Sequence, residues 1–357
     1  MAMMTTTTQR FMVSTTPHAC LLLILLLSLF HNTATCLAPP SPTPAAMTAF
    51  GAALRTKDPS MLLTILSDID GTLLTSRHEM QPETIAAVRA AQQAGFAFFP
   101  CTGRSRASMA AAVGPDFVAL LGCTLSEVPG VYQQGLQVYG PGGKMIYEQT
   151  LDSATIKRVE ALAQAHRLAL IAYCGESIYC QRRCAQTDKI VEYKEPIPTV
   201  HSSGLHMLPS SADQGGLGAP VHKLIFLADD AALFAFRPLL EAATQGSCSI
   251  TKAVPGMLEV LPFGSNKGVG VSRLLRHMGI DPAQCISFGD GENDVEMLQQ
   301  TGLAVAVGNA RDRLKAVAHV VLDGSSDEQA VAACLREAVE WKASFLHLES
   351  GGRQTPT

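Results

Sequence analysis

Short apolar runs that stop at polar clusters recur along this chain, separated by segments with helical spacing. Residues 62–67, with the β-branched pair Thr64 and Ile65, predict a buried strand that stops at Asp68 and Asp70. If the extended geometry continues, these two acids, spaced i and i+2, project to one side. Gly71 lets the backbone turn, and Thr72 adds a hydroxyl. Residues 82–95 predict a helix, with Pro82 suited to its first turn and Gly95 to its exit. Residues 96–101 form a second apolar run, ending at Thr102, Gly103 and Arg104. Strand, helix and strand in this order make a βαβ unit, whose parallel strands gather ligands at their carboxyl ends. Asp68, Asp70 and Thr102 all fall there.

Residues 105–113 predict a second helix and residues 130–135 a third strand, after which the character changes. Residues 136–139 and 144–147, around Gly140, Pro141, Gly142 and Gly143, predict a hairpin. An amphipathic helix over 153–166, strands within 168–179 and 223–228, and a helix over 231–245 describe an inserted α+β region. The first pattern then resumes. A helix over 269–278 follows Lys267 and Gly268, and a strand over 285–288 runs into Gly289, Asp290, Gly291, Glu292, Asn293 and Asp294. Further elements end with a helix over 330–340, and the polar tail past residue 350 is expected to be loose.

At 357 residues the chain is long enough for two substantial cores, with 47% hydrophobic and 16% charged residues. A net charge of −4, one Trp and six Tyr give no basis for nucleic-acid binding. Of ten Cys, the eight beyond Cys36 are scattered without a C-x-x-C pair; Cys174, Cys180 and Cys184, although close together, read as free structural thiols. Residues 19–30 are too short an apolar run to span a bilayer but suit the core of a secretory signal, with Ala34 and Cys36 placed as cleavage residues. Residues 1–36 therefore read as a signal peptide, leaving a mature protein free of the membrane. Residues 37–60 hold no acid before Asp58 and read as a transit-like or linker segment. Signal and transit-like segments together resemble the two-part plastid address of algae with secondary plastids; secretion with a Pro-rich linker is the alternative.

The polar clusters share one chemistry. Two carboxylates at a strand end repel each other unless a cation lies between them, and oxygen ligands suit Mg²⁺. Asp290, Asn293 and Asp294 add oxygen ligands at a second strand end. Thr102 and the backbone N–H of Gly103 can bind a phosphate oxygen, and Lys267 near a helix start favours an anion. One Asp can then accept a phosphoryl group while the other handles protons.

These four clusters, in this order, resemble the motifs of haloacid dehalogenase (HAD) superfamily phosphatases, and the insertion resembles the cap of the Cof-type branch, subclass IIB. The resemblance spans residues 62–340. It implies an α/β fold: a Rossmann-like parallel-sheet core over 61–137 and 256–340, an inserted α+β cap of C2B type over 138–255, and a tail over 341–357. It further implies Asp68 as nucleophile, Asp70 as general acid and base, and Mg²⁺ held by the Asp68 carboxylate, the Asp70 carbonyl and Asp290, with Asn293 and Asp294 holding or orienting that sphere. Thr102, Gly103 and Lys267 would bind the phosphoryl group. Arg104 would serve substrate or structure, and Lys223 would serve substrate or be an ordinary surface lysine. Relatives often carry Asn-Gly where this chain has Gln134 and Gly135, near the expected cap junction. The expected substrates are small phosphate monoesters, sugar phosphates or nucleotide-like metabolites. A sugar phosphomutase and a non-catalytic phospho-ligand sensor are the alternatives. Oligomeric state is not readable.

Overall fold

The computed structural model describes residues 44–58, 64–122, 124–208, 220–252 and 254–351. The expected signal peptide lies outside them. The first half of the chain runs α1 (Pro44–Arg55), β1 (Thr64–Ser67), α2 (Pro82–Gln93), β2 (Ala97–Pro100), α3 (Arg106–Val113), α4 (Pro115–Gly122), β3 (Gly130–Tyr132), β4 (Gln137–Tyr139) and β5 (Met145–Glu148). A second group follows: α5 (Ser153–Ala165), β6 (Ala169–Cys174), β7 (Ser177–Cys180), α6 (Ala185–Asp188), β8 (Thr199–Val200), β9 (Lys223–Leu227), α7 (Asp230–Thr244), β10 (Cys248–Thr251) and β11 (Met257–Pro262). The chain closes with α8 (Lys267–Met278), β12 (Cys285–Gly289), α9 (Val295–Gln299), β13 (Leu303–Ala306), α10 (Asp312–Lys315), β14 (Val320–Val321) and α11 (Ala330–Gly351).

The core is a parallel five-stranded sheet in the order β14-β13-β12-β1-β2. Its three central strands are buried along their length and read as continuous apolar runs because helices cover the sheet. β3, β4 and β5 form a small antiparallel sheet, tied to β2 by a parallel bridge between Cys101 and Val131. Val131, Val138 and Tyr139 share one apolar cluster with Val271 and Leu274 of α8, so this hairpin packs with the core.

The second sheet, β10-β11-β9-β6-β7-β8, is antiparallel except at β7–β8. One face carries Leu224, Phe226, Leu258 and Val260 under Ile156 and Val159 of α5 and Leu233 and Phe236 of α7. Alternation sends Tyr173, Lys223, Ile225, Met257 and Glu259 to the other face. β11 belongs to this sheet, so the cap runs past the expected boundary at residue 255, to Pro262.

Two terminal segments differ from expectation. Residues 44–55 fall in the expected linker but form α1, whose Phe50 and Leu54 are fully buried, with Phe50 6.3 Å from the ring of Phe288. Spaced i and i+4, these two residues share a helix face; acid-poor composition hid that stripe. The last helix also continues past residue 340 to Gly351, because Trp341 is drawn into the core.

Candidate active site

Parallel register brings three strand ends level. Ser67 pairs with Phe288 on one side and Pro100 on the other, so Asp68, Asp290 and Thr102 all emerge at one edge. Lys267 is the first residue of α8, held there by the Asn266 side chain, which accepts from the Val269 N–H at 2.8 Å. Its fully buried ammonium lies 2.8 Å from Asp68 Oδ1 and 2.5 Å from Asp294 Oδ1. Burial works against that charge, but Asp294 and Asp68 together hold the ammonium well above the usual lysine range. Asp294 Oδ2 accepts from the N–H groups of Asp290 and Gly291 at 3.0 and 2.9 Å.

Asp68, Asp290 and Asp294 offer carboxylate oxygens that all lie within 4.8 Å of one another. Burial and the neighbouring Asp294 raise the carboxyls of both Asp68 and Asp290, the latter to about 7. Lys267 alone does not neutralise three acids, and the oxygen-only donor set fits a hard divalent cation. Gly71 makes this approach possible: its φ is 72°, and a Cβ there would sit 2.4 Å from Asp290 Oδ2.

Asp70 does not share this cluster. β1 ends at Ser67, and the Asp70 carboxylate turns to Arg104, whose Nε and Nη2 donate to its two oxygens at 2.7 Å each. His78 Nδ1 lies 3.3 Å from Asp70 Oδ1. Burial would raise the Asp70 carboxyl, but His78 and Arg104 overcome this and hold it well below the usual carboxylate range. The remaining nitrogen of Arg104 donates to Ser108 Oγ and to the Tyr193 carbonyl on the cap. Thr102 is fully buried and its hydroxyl accepts from the Arg104 N–H at 3.1 Å.

Lys223 is not a surface lysine. It is 2% exposed and donates to the Gly103 carbonyl at 2.8 Å and to Glu259 at 3.0 Å. Gln134, in left-handed conformation at φ 61°, accepts from Asn293 Nδ2 at 2.9 Å and donates to Glu259 at 3.1 Å. Its amide thus joins the Asn293 loop to the cap. The carbonyl and NH₂ of one side-chain amide thus serve two different elements, and asparagine, one methylene shorter, has less reach for the same span. A Cβ on Gly103 would lie 2.5 Å from Gln134 Nε2, so the glycine admits this bridge. A second tie runs from Arg237 on α7 to Glu292, at 3.3 Å, within the loop from Asp290 to Asp294.

The cap closes over Asp68 to leave a cavity of about 170 Å³, lined in part by Asp70, Arg104, Tyr173, Tyr193, Glu195 and Lys223. His78, Gln134, Glu195 and Glu259 were not singled out as site residues from the sequence. Glu195 and Glu259 are brought in by sheet register and cap closure, Gln134 stands where relatives carry Asn-Gly, and His78 meets Asp70 from eight residues further on.

A family model for haloacid dehalogenase-like hydrolases matches residues 65–335. The chain belongs to that family. Its fold is that of a HAD/COF-like hydrolase from Plasmodium vivax, with a TM-score of 0.70 and 25% identity over 82% of this chain and 99% of the other. A HAD subclass IIB sugar phosphatase shares the fold with a TM-score of 0.63 at 23% identity, covering 77% of this chain and 98% of that one. The HMP-PP phosphatase of Citrobacter koseri is 27% identical over 74% of this chain and 91% of its own length. A chloroplastic protein of Arabidopsis thaliana named endoribonuclease YBEY is 33% identical over 75% of this chain, which spans 45% of that protein's length. The chain is a HAD-like hydrolase whose cap shares the fold of that subclass IIB sugar phosphatase.

The metal-free hydrolase is expected to lose stability as pH rises. The folded state retains the Asp290 proton up to about 7, whereas an ordinary Asp releases it near ~3.9. Asp290 and Asp68 therefore contribute stability that is full below the ordinary Asp value and lost as pH climbs through the raised one. Asp70 runs the other way, its contribution lost only at more acid pH. Thermal unfolding in EDTA should show a lower Tm at pH 8 than at pH 5, and Mg²⁺ should raise Tm more at pH 8. A metal-free Tm that climbs over this range would contradict the assignment.

Proposed function

We propose that this hydrolase cleaves small phosphate monoesters in a Mg²⁺-dependent reaction through an aspartyl phosphate on Asp68. The observation that carries this is Lys267, buried between Asp294 and the Asp68 that lines the capped cavity, where negative charge must be gathered and held. The Asp68 and Asp290 carboxylates, with Asp294 beside them, are the residues that would hold Mg²⁺, which when bound masks negative charge on the acids and the phosphoryl oxygens.

An Asp68 oxygen attacks phosphorus, the bond from phosphorus to the ester oxygen breaks, and Asp70 gives its proton to the leaving oxygen. Water then attacks phosphorus, returns a proton to the Asp70 carboxylate, and breaks the bond to Asp68, releasing inorganic phosphate. Arg104 holds Asp70 as a base, which suits the second half. The first half requires that pair to loosen, and an arriving anionic ester competes for the same guanidinium. Closure of the cap by Lys223 on Gly103 and by Arg104 on Tyr193 excludes water from the first step.

The names of the relatives, an HMP-PP phosphatase and a sugar phosphatase, support a small phosphorylated metabolite as substrate. The chloroplastic designation of the Arabidopsis relative supports a plastid address, which N-terminal sequencing of the mature protein and organelle fractionation would test. The decisive assay is phosphate release from a panel of small esters by a protein that retains α1, with Mg²⁺ and with EDTA. Release that requires Mg²⁺ is expected. Isomerisation of a sugar phosphate without release would make the protein a mutase, and binding without turnover a sensor.

A further inference from the structure

The junction between cap and core buries a histidine that the reaction does not use. His222 stands just before β9 and is fully buried. Its Nδ1 lies 3.0 Å from the Gly175 nitrogen, in the turn between β6 and β7. A backbone N–H can only donate, so Nδ1 must accept and the ring proton sits on Nε2. From there it donates to Glu148 Oε1, at the end of β5, at 2.8 Å. Two further contacts hold the turn on the core. The Gln133 side-chain amide donates to the Gly175 carbonyl at 2.8 Å, and Glu176 Oε2 accepts from the Ala107 N–H of α3 at 3.0 Å. One neutral ring thus joins β5, β9 and the turn that the cap lays against the core.

A second proton on this ring is incompatible with that arrangement. The charged ring carries hydrogen on both nitrogens, so Nδ1–H would face the Gly175 N–H, two donors with no acceptor between them. Burial lowers His222 below the ordinary histidine range, against the pull of Glu148 on β5 and Glu176 on the turn, which favour the charged form. Gln133 and Gln137 bring no charge, and Arg106 of α3 and the Tyr139 hydroxyl of β4 lie near the same two acids. Lys223, next in the chain, is taken up by Gly103 and Glu259. The closed state therefore excludes the proton. Closure is at full strength above the ordinary histidine value of ~6.5 and weakens as pH falls below it, toward the lowered value. We propose that neutral His222 is a positioning residue that latches the cap closed, and that protonation at Nδ1 frees the Gly175 turn from the core. The consequence for turnover, a cap that opens at acid pH, rests on the hydrolase reading above; the latch itself does not.

The test is amide hydrogen exchange in EDTA, read at residues 173–177 and divided by the intrinsic rate at each pH, for wild type, His222→Gln and Glu148→Gln. In wild type, protection at the turn should fall roughly 10-fold from pH 7 to pH 5 while β1 and β12 keep theirs, which shows that the core stays folded. His222→Gln keeps a donor and an acceptor but cannot take a charge, so its protection should be equal at both pH values. Glu148→Gln removes a carboxylate that favours the charged ring, and its fall should move to lower pH. Glu148 is partly exposed, so this variant decides the matter even where His222→Gln does not fold. Wild-type protection that stays flat would overturn the proposal, as would a fall that persists in His222→Gln or one that Glu148→Gln leaves at the same pH. A wild type that hydrolyses no ester with Mg²⁺ would instead overturn the hydrolase reading, and the exchange result would still decide the latch.

Discussion

Asp68→Asn is expected to abolish phosphate release while leaving a folded protein that is no less stable without metal. The amide cannot act as the attacking oxygen, so the loss should approach the roughly 10⁶-fold seen when another covalent enzyme is deprived of its nucleophile. Stability follows a different logic. In the metal-free protein Asp68 is buried, its carboxyl raised by that burial and by Asp294, so its charge is opposed by its surroundings. Asparagine removes that charge, and Lys267 keeps its 2.5 Å contact with Asp294. Steady-state phosphate release and thermal unfolding in EDTA measure the two halves separately. Residual turnover above about 1% of wild type would exclude Asp68 as the nucleophile.

What the sequence made legible follows from where each residue lies. Asp68, Thr102 and Asp290 each stand where an apolar run stops, and parallel strands must bring such ends to one edge. Lys267 was legible for a similar reason, near the start of a helix. Lys223 was not: whether a lysine at the head of a strand faces solvent or substrate depends on a register in which it pairs with Tyr173 while Ile225 pairs with Glu259. No local pattern encodes a pairing between residues fifty apart in the chain. Gln134 was noticed as a departure, but its role needed Glu259 and Asn293, which lie 125 and 159 residues further along the chain. Arg104 was left between substrate and structure; its side chain fixes Asp70 and meets the cap. The helix over residues 44–55 was missed because composition describes an average, and two apolar residues on one face were enough to seat it.

Lys267→Met should have the opposite signature to Asp68→Asn, losing both activity and stability. Methionine is similar in length and adds no bulk, so the site stays filled, but Asp68 and Asp294 are left buried without their cation. Removing one partner of a buried ion pair costs on the order of 3–5 kcal/mol, because the charge left behind is uncompensated. Thermal unfolding in EDTA should therefore show a marked fall in Tm, and on the proposed Mg²⁺ dependence the fall should shrink with added Mg²⁺, which would supply positive charge to the same acids. The double variant Lys267→Met with Asp68→Asn should recover part of the lost stability, because one of the two stranded charges is gone, yet recover no phosphate release. That separation distinguishes a lysine that gathers charge for the reaction from one that only fills the core. If metal-free Lys267→Met matched wild type in Tm, the ion-paired cluster would not be what holds the Asp290–Asp294 loop against β1, and the charge argument for the site would fail with it.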